Sequence, residues 1–167
     1  EPTFTHRFLA ALEAEDRLAG VITQNIDALH EQAGSRRVLP VHGNYWTSHC
    51  QACGRAFDFE TLRAKVEAEP VPQCACGGVI KPDVVFFGEP VRDLHAAQEL
   101  VVGSDLLLVL GSSLAVHPAA VIPQFAGGEV VVVNRGPVGL APAPGRSFVD
   151  EDLDTFFQAV ADARASA

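Results

Sequence analysis

The chain has 167 residues, of which 48% are hydrophobic and 20% charged, so a packed core is expected and general disorder is excluded. The net charge of −9 argues against non-specific nucleic-acid binding, and no apolar run is long enough for a membrane helix. Methionine is absent and no signal peptide opens the chain, so we expect that it is processed or lacks sequence before Glu1.

Short helices and strands alternate at the start of the chain. Phe4, Phe8 and Leu12 recur at helical spacing, and Gly20 is expected to stop that helix. The sequence then predicts, in order, a strand at Val21–Thr23, a short helix over 29–33 and an extended piece over 38–41 that ends in His42-Gly43.

Residues 44–88 differ in character, because they hold all four cysteines and several short extended pieces, with one helix over 60–69. We expect an inserted small module there. Continuous apolar strands alternate with helices outside it, which indicates a parallel α/β sheet buried on both faces. The predicted elements after the module are a helix over 91–102, the strand Leu106–Leu110, a helix opened by Pro118, a strand over 130–133, a loop over 136–145 and a last helix from about 150.

The cysteines form two close pairs, Cys50-x2-Cys53 and Cys74-x-Cys76. This spacing is close to that of a four-thiolate zinc ribbon, and four thiolates would close the coordination sphere around a structural metal. A redox Cys-x-x-Cys pair and unrelated free thiols are the alternatives. Without a secretion signal, a metal site in a reducing cytoplasm fits better than two disulfides.

Small and polar residues follow three predicted strands: Gln24-Asn25-Ile26-Asp27, Gly111-Ser112-Ser113 and Asn134-Arg135-Gly136. Ligands of open parallel sheets bind beyond the carboxyl ends of strands, and such residues can bind ribose hydroxyls, amides and phosphates. Any one of these turns could be ordinary turn and capping chemistry. Three together favour a nucleotide site, although no G-x-G-x-x-G loop occurs in the chain.

Two further features border the cysteine module. His42 is a candidate general base, because an imidazole can accept a proton at physiological pH, although a lone histidine is more often structural. The extended segment over 81–89 runs out of the module, and it could pair with a peptide by strand addition or be a plain buried connector.

Together these motifs resemble the sirtuins, which are NAD-dependent protein deacylases. The resemblance covers roughly residues 1–137, in the order of the family. It rests on Thr23-Gln24-Asn25-Ile26-Asp27, Leu29-His30, Ala33-Gly34, His42-Gly43, the two cysteine pairs, Lys81-Pro82-Asp83-Val84-Val85-Phe86-Phe87-Gly88-Glu89, Gly111-Ser112-Ser113-Leu114, Pro118-Ala119 and Val131-Val132-Val133-Asn134.

The resemblance implies a Rossmann-type NAD-binding domain over 1–43 and 89–167 and a zinc-ribbon domain with the substrate connector over 44–88. His42 would be the general base, and zinc would bind Cys50, Cys53, Cys74 and Cys76. NAD would contact Gln24, Asn25, Ile26, Asp27, Gly111, Ser112, Ser113, Asn134, Arg135, Gly136 and, on the adenine side, Leu153. A substrate peptide would lie between Val85, Phe86, Phe87 and Gly88 on one side and Leu114 and Val116 on the other.

The implied activity is removal of acyl groups from protein lysines, with nicotinamide and O-acyl-ADP-ribose as products and acyl-lysine proteins as partners. An NAD-cleaving or ADP-ribosyl-transferring relative and a non-enzymatic zinc-ribbon interaction module are the alternatives. The chain departs from the family in lacking its Gly-Ala-Gly-x-Ser phosphate loop and Pro-Asp-Phe-Arg motif, and in having Cys-x-Cys as its second pair. We expect the missing motifs to lie upstream of Glu1.

Overall fold

A computed structural model describes residues 1–166. The helices are α1 (Phe4–Ala14), α2 (Leu29–Gln32), α3 (Phe59–Ala68), α4 (Leu94–Val102), a 3-10 helix (Ala119–Phe125) and α5 (Leu153–Ala165). The strands are β1 (Val21–Thr23), β2 (Val38–Pro40), β3 (Gly43–Cys50), β4 (Ala56–Asp58), β5 (Ile80–Val84), β6 (Leu106–Leu110), β7 (Glu129–Val133) and β8 (Arg146–Val149).

Parallel pairing joins β1 to β2, and separately joins β6, β7 and β8 in that order. The apolar strands β6 and β7 pair over their whole length, from Leu106 opposite Glu129 to Leu110 opposite Val133. Most residues of β7 are buried, as its continuous apolar sequence predicts, whereas β6 is only partly buried and its Leu106 is half-exposed. The predicted α/β class with a parallel sheet is confirmed.

The cysteine-bearing part of the chain forms a different, antiparallel sheet in the order β4, β3, β5. The helix α3 follows β4 directly, and the Asp58 carboxylate caps it by accepting the Thr61 N–H at 2.8 Å. Cys50, Cys74 and Ile80 form the hydrophobic core of this part, with Phe57 and Leu62 packed against them.

Helix α4 and the 3-10 helix supply the core that connects the two parallel sheets. Val41 and Ala97 are completely buried there with Val101, Ala119 and Ile122, and Ile22 and Leu107 pack on them from either sheet. A second core beneath β6 and β7 includes Val109, Val130 and Val132. At the far end, α1 and α5 pack together through the rings of Phe8 and Phe157, whose centroids are 5.2 Å apart.

Two predicted helices differ in the structure. Helix α1 ends at Ala14 instead of continuing to Gly20, because Asp16 turns the chain with a left-handed φ of 56°. The segment after Pro118 is a 3-10 helix, and Pro123 inside it has no N–H for an α-helical hydrogen bond. Strand β8, directly after the predicted loop, was not predicted. Within residues 1–166, none of the helices has the length and hydropathy that crossing a bilayer requires.

Candidate active site and cysteine cluster

A cavity of about 1310 Å³ opens at the carboxyl ends of β1 and β6 and continues between the two parallel sheets. Its polar end is lined by Gln24 and Asn25 from the turn after β1 and by Ser112 and Ser113 from the turn after β6. Its remaining walls are mostly apolar, including Leu106–Leu110. Two of the three predicted strand ends therefore meet at one cavity, together with Gly111, Leu114, Val116 and Leu153.

His42 lies between β2 and β3 and is held against the turn that follows β1. Its Nδ1 is 3.2 Å from the carbonyl oxygen of Gln24. Since a carbonyl can only accept, Nδ1 carries the proton, and the neutral ring has its lone pair on Nε2. The arrangement leaves Nε2 as the atom that can accept a proton.

The main chain of His42 also joins the extended segment beyond β5. The Val85 N–H donates to the His42 carbonyl at 2.9 Å. Next to it, Gly43 has a φ of +74°, and a Cβ there would lie 1.8 Å from the Asp83 carbonyl oxygen. Only glycine permits this close approach, which explains why Gly43 follows His42. The backbone thus connects the candidate base to the segment over 85–88.

The turns after β1 and β6 are stabilised by their own polar side chains. Asp27 accepts the Leu29 N–H at 3.0 Å and so caps α2, while the Asn25 N–H donates to the Thr23 hydroxyl at 3.1 Å. The Ser112 hydroxyl accepts the Leu114 N–H at 3.2 Å, and Leu114 has a left-handed φ of 52°. The side chain of Asn25 makes none of these contacts and lines the cavity.

The third predicted strand end lies at a second cavity, of about 350 Å³, lined by Asn134 and Gly136. Asn134 donates to the carbonyl of Arg135 at 3.0 Å, and Arg135 lies 3.4 Å from the Asp152 carboxylate. Leu153 lines the first cavity instead, where a Cβ on Gly111 would lie 3.3 Å from its Cδ1. Ile26, Asp27 and His42 line neither cavity.

The predicted peptide-binding residues form exposed surface next to His42. Phe87 is fully exposed and Phe86 is half-exposed, which is unusual for neighbouring aromatic residues. Of the residues expected on the other side of the peptide, Val116 is exposed and Leu114 is buried at the edge of the first cavity. The exposed side chains of Phe86, Phe87 and Val116 offer apolar surface to a peptide.

The four cysteines converge into one cluster, in which the Sγ atoms all lie within 4.8 Å of one another. Cys50 and Cys76 are 3.5 Å apart, and Cys53 and Cys74 are 3.8 Å apart. Zn–S bonds of about 2.3 Å in a tetrahedral site would place the sulfurs about 3.8 Å apart. The cluster therefore has the ligand type, number and spacing of a structural zinc site, and all four cysteines are free thiols.

Local backbone geometry and electrostatics shape this cluster. A Cβ on Gly78 would lie 2.7 Å from the Cys50 Sγ, so glycine is needed where the two turns meet. The Cys53 N–H, pointing at the Cys50 sulfur, lowers the pKa of Cys50 to about 6. The Gly78 N–H favours the Cys76 thiolate, but the sulfurs of Cys50, Cys53 and Cys74 together with burial outweigh it, and the pKa of Cys76 is raised to about 11.

A polar network at the base of the 85–88 segment was not predicted. Asp83 accepts hydrogen bonds from the Thr47 hydroxyl at 2.6 Å and from His49 Nδ1 at 2.8 Å, with Arg92 at 3.5 Å. Partial burial of Asp83 opposes ionisation, but the bonds from Thr47 and His49 prevail and lower its pKa. No spacing rule links these residues in the sequence, since β3 and β5 bring them together.

A family model, relatives of known sequence and solved structures all relate this chain to the same protein family. The model of the Sir2 family matches residues 1–118. A protein of Sulfolobus acidocaldarius named NAD-dependent protein deacetylase is 46% identical over 138 residues, or 80% of this chain and 55% of that protein. A structure described as Sir2 with a p53 peptide and NAD⁺ superposes with a TM-score of 0.94 at 36% identity, over 100% of this chain and 72% of that one.

A structure of Sir2 bound to acetylated peptide is similar to the same degree, with a TM-score of 0.94 and 35% identity over 99% of this chain and 72% of that one. The chain spans about half the length of the curated relatives it matches. The residues matched by the family model include the polar strand ends over 24–27 and 111–113, His42 and the cysteine pairs. The chain belongs to the Sir2 family.

Proposed function

We propose that this chain carries the NAD-binding and peptide-binding surfaces of an NAD-dependent protein-lysine deacetylase, which releases nicotinamide and O-acyl-ADP-ribose. Residues 1–43 and those after 88 would form the NAD-binding domain, and residues 44–88 the small domain with the substrate segment. The names of the relatives and the ligands of the similar Sir2 structures support this proposal.

The observation that carries the proposal is the hydrogen bond between His42 Nδ1 and the Gln24 carbonyl. It fixes the ring as the tautomer with Nε2 unprotonated, which is the form that a general base needs. His42 would take the proton from a ribose hydroxyl, so that this oxygen becomes nucleophilic. The Gln24 carbonyl would then stabilise the protonated ring, because it keeps accepting the Nδ1 proton.

Bound NAD would supply an electrophilic ribose carbon with nicotinamide as its leaving group. The residues at the polar end of the first cavity suit that ligand: Asn25 offers an amide to the nicotinamide side, and Gly111 and Ser112 offer unobstructed backbone and a hydroxyl. Asn134 and Arg135 would bind farther along, towards the adenine. Phe86 and Phe87 would present the acyl-lysine peptide beside His42, because the Val85 N–H is bonded to its carbonyl.

Product analysis with the full-length protein tests this function. Incubation with an acetyl-lysine peptide and NAD is expected to give deacetylated peptide, nicotinamide and O-acetyl-ADP-ribose in equal amounts by mass spectrometry. Reactions without NAD, and with unacetylated peptide, are the controls. Free ADP-ribose with the peptide still acetylated would contradict deacetylation and favour an NAD-cleaving relative. No NAD consumption by a protein that binds the peptide would favour an interaction module.

We also propose that Cys50, Cys53, Cys74 and Cys76 hold one Zn²⁺ that stabilises the antiparallel sheet. The convergence of the four Sγ atoms within 4.8 Å supports it, and so does the burial of Cys50 and Cys74 in the small core of this sheet. With four thiolate ligands the metal would have no open position, so its role would be structural. The free thiols also suit a reducing compartment, and we propose a cytoplasmic location.

Metal analysis tests the zinc site. The purified protein is expected to contain one zinc per chain, and Cys53→Ala should lower both the zinc content and the melting temperature, because removal of a ligand opens the site. Gln51→Ala, an exposed change in the same turn, is the matched control. Unchanged zinc content and melting in Cys53→Ala would overturn the assignment.

A further inference from the structure

Lys81 and Glu89 meet at the two ends of the exposed segment that contains Phe86 and Phe87. Lys81 lies in β5, Glu89 follows the segment, and the Lys81 Nζ is 2.9 Å from a Glu89 carboxylate oxygen. The side chain of Lys81 is 22% exposed and that of Glu89 is 40% exposed, so the pair is partly shielded from solvent. It closes the segment between them into a loop.

Both side chains also bind the loop itself. The Lys81 Nζ donates to the Val84 carbonyl at 2.9 Å and lies 4.5 Å from the centre of the Phe86 ring, as in a cation–π contact. The Glu89 carboxylate oxygen that meets Lys81 accepts the Phe86 N–H at 2.9 Å. The Glu89 N–H in turn donates to the Phe86 carbonyl at 3.0 Å. A surface ion pair alone would make none of these additional contacts.

We propose that Lys81 and Glu89 are positioning residues, which hold the backbone of residues 84–88 in the shape that receives a substrate peptide. This inference rests on the proposed function, since it concerns the same peptide-binding segment. The Phe86 N–H bond, followed by Lys81, holds the pKa of Glu89 below its usual range, which agrees with a carboxylate engaged by its donors. The pair does not touch the reacting atoms.

The physical effect would fall on binding and not on the chemical step. A loop with a fully exposed Phe87 has little apolar packing to hold it, so its order depends on these polar bonds. Without them, the loop would have to be ordered when the peptide binds, and that entropy cost weakens binding. His42 would keep its place, because its bond to Gln24 does not involve the loop.

Amide exchange measures the loop directly, without any assay of activity. In the full-length protein, Glu89→Ala is expected to speed hydrogen exchange of the Phe86 amide at least about tenfold, because a hydrogen bond to a charged acceptor is lost. Glu60→Ala is the matched control, since Glu60 forms an exposed ion pair with Arg63 within α3. Glu89→Gln keeps an acceptor for the Phe86 N–H, so it should restore part of the protection.

Steady-state kinetics with an acetyl-lysine peptide tests the consequence. Glu89→Ala and Lys81→Met are expected to raise the peptide KM about tenfold and to change kcat by less than about threefold. Exchanging the charges, Lys81→Glu with Glu89→Lys, should not rescue the KM. The Phe86 N–H would then face an ammonium group and the Val84 carbonyl a carboxylate. A simple ion pair would be restored by that exchange.

Unchanged Phe86 exchange in Glu89→Ala would overturn the proposal, and so would full rescue of peptide binding by the charge exchange. A fall in kcat with an unchanged KM would also contradict it. If the unaltered protein shows no turnover, the proposed function fails, whereas amide exchange and the affinity of the peptide by fluorescence anisotropy still decide the role of the pair.

Discussion

His42 makes its orienting hydrogen bond to a main-chain carbonyl, which separates its structural role from its proposed catalytic one. The amide of an asparagine can donate a hydrogen bond to the same carbonyl, but it cannot act as a base. We expect His42→Asn and His42→Ala both to lower the deacetylation rate by about 10²–10⁴-fold. NAD binding by calorimetry should change little in His42→Asn.

The control for the two His42 variants is His95→Ala, because His95 is an exposed histidine on α4 that lies 3.6 Å from the Glu99 carboxylate. Equal turnover in His42→Asn and the parent would show that His42 is structural. A loss of NAD binding as large as the loss of turnover would place it in ligand binding instead.

His30 should make stability depend on pH. Burial and the neighbouring His6 lower the pKa of His30 from 6.5, against a smaller opposing effect of Asp27. Just below pH 6.5 the unfolded chain therefore binds more protons at His30 than the folded chain does. The contribution of His30 to the free energy of unfolding is thus unreduced above pH 6.5 and falls as the pH drops through that value. Within the described residues the His30 Nδ1 has no hydrogen-bond partner, which agrees with a ring held neutral.

Urea unfolding between about pH 7 and pH 5 measures this dependence. His30→Gln is expected to flatten the fall in unfolding free energy, whereas His95→Gln, at an exposed position, should leave it as in the parent. A slope that is the same in His30→Gln and in the parent would contradict the assignment.

At the residue scale the sequence identified side chains but not their partners. The convergence of the cysteine pairs was predictable from their spacing and residue type, whereas the resemblance to the family singled out His42 as the candidate base. The Gln24 carbonyl was not, since every residue has a carbonyl and only the fold selects one. Asp83, Lys81 and Glu89 likewise acquire their partners from the approach of β3 and from the loop after β5.

At the scale of elements, the carboxylate of Asp154 joins α5 to α1 by hydrogen bonds. Asp154, in the first turn of α5, accepts the Thr5 N–H at 2.8 Å and the Thr5 hydroxyl at 2.6 Å, and these bonds lower its pKa. Asp154→Ala at pH 7 should lower the free energy of unfolding by about 1–3 kcal/mol, because both bonds are lost. Unfolding by denaturant measures this loss of free energy.

Asp162→Ala is the matched control, because Asp162 lies on the exposed face of the same helix and its carboxylate accepts a hydrogen bond from Gln158. Equal stabilities of the two variants would show that the Thr5 bonds contribute nothing net. A loss confined to Asp154→Ala would confirm that they hold α1 against α5.

Element types were predictable where the apolar pattern is strong, as in Leu106–Leu110 and in the helix of Phe4, Phe8 and Leu12. The ends of helices and strands were harder to predict, because a residue with left-handed backbone, such as Asp16, need not be a glycine. Strand β8 was missed since Arg146-Ser147-Phe148-Val149 is short and mixed. It becomes a strand by pairing with β7, which is a long-range effect.

At the scale of the whole molecule, β1 and β6, from the two separate parallel sheets, line the same largely apolar cavity. Among residues 1–166, no strand pairs with the second edge of β1 or of β6. Unpaired edges bind other strands, so we expect the 167-residue chain to self-associate as its concentration rises. Leu106→Lys, at a half-exposed position on β6, should shift sedimentation towards the monomer.

Val66→Lys, on the half-exposed face of α3, is the control for the added charge. Equal sedimentation of the parent and Leu106→Lys, with the parent monomeric at high concentration, would show that the edges are protected. The sequence predicted parallel strands, but not their division into two sheets, because strand order is set by contacts between distant segments.

The bond between the Val85 N–H and the His42 carbonyl has a consequence for motion. Arg92 makes a similar bond, donating its N–H to the Val41 carbonyl at 2.9 Å. Residues on either side of the loop are thus tied to the strand end that carries the imidazole. If the cysteine-bearing sheet tilts when ligands enter or leave, these bonds would carry the loop and His42 along one path. The distance between the His42 ring and a peptide bound on residues 85–88 would then be preserved during such a tilt.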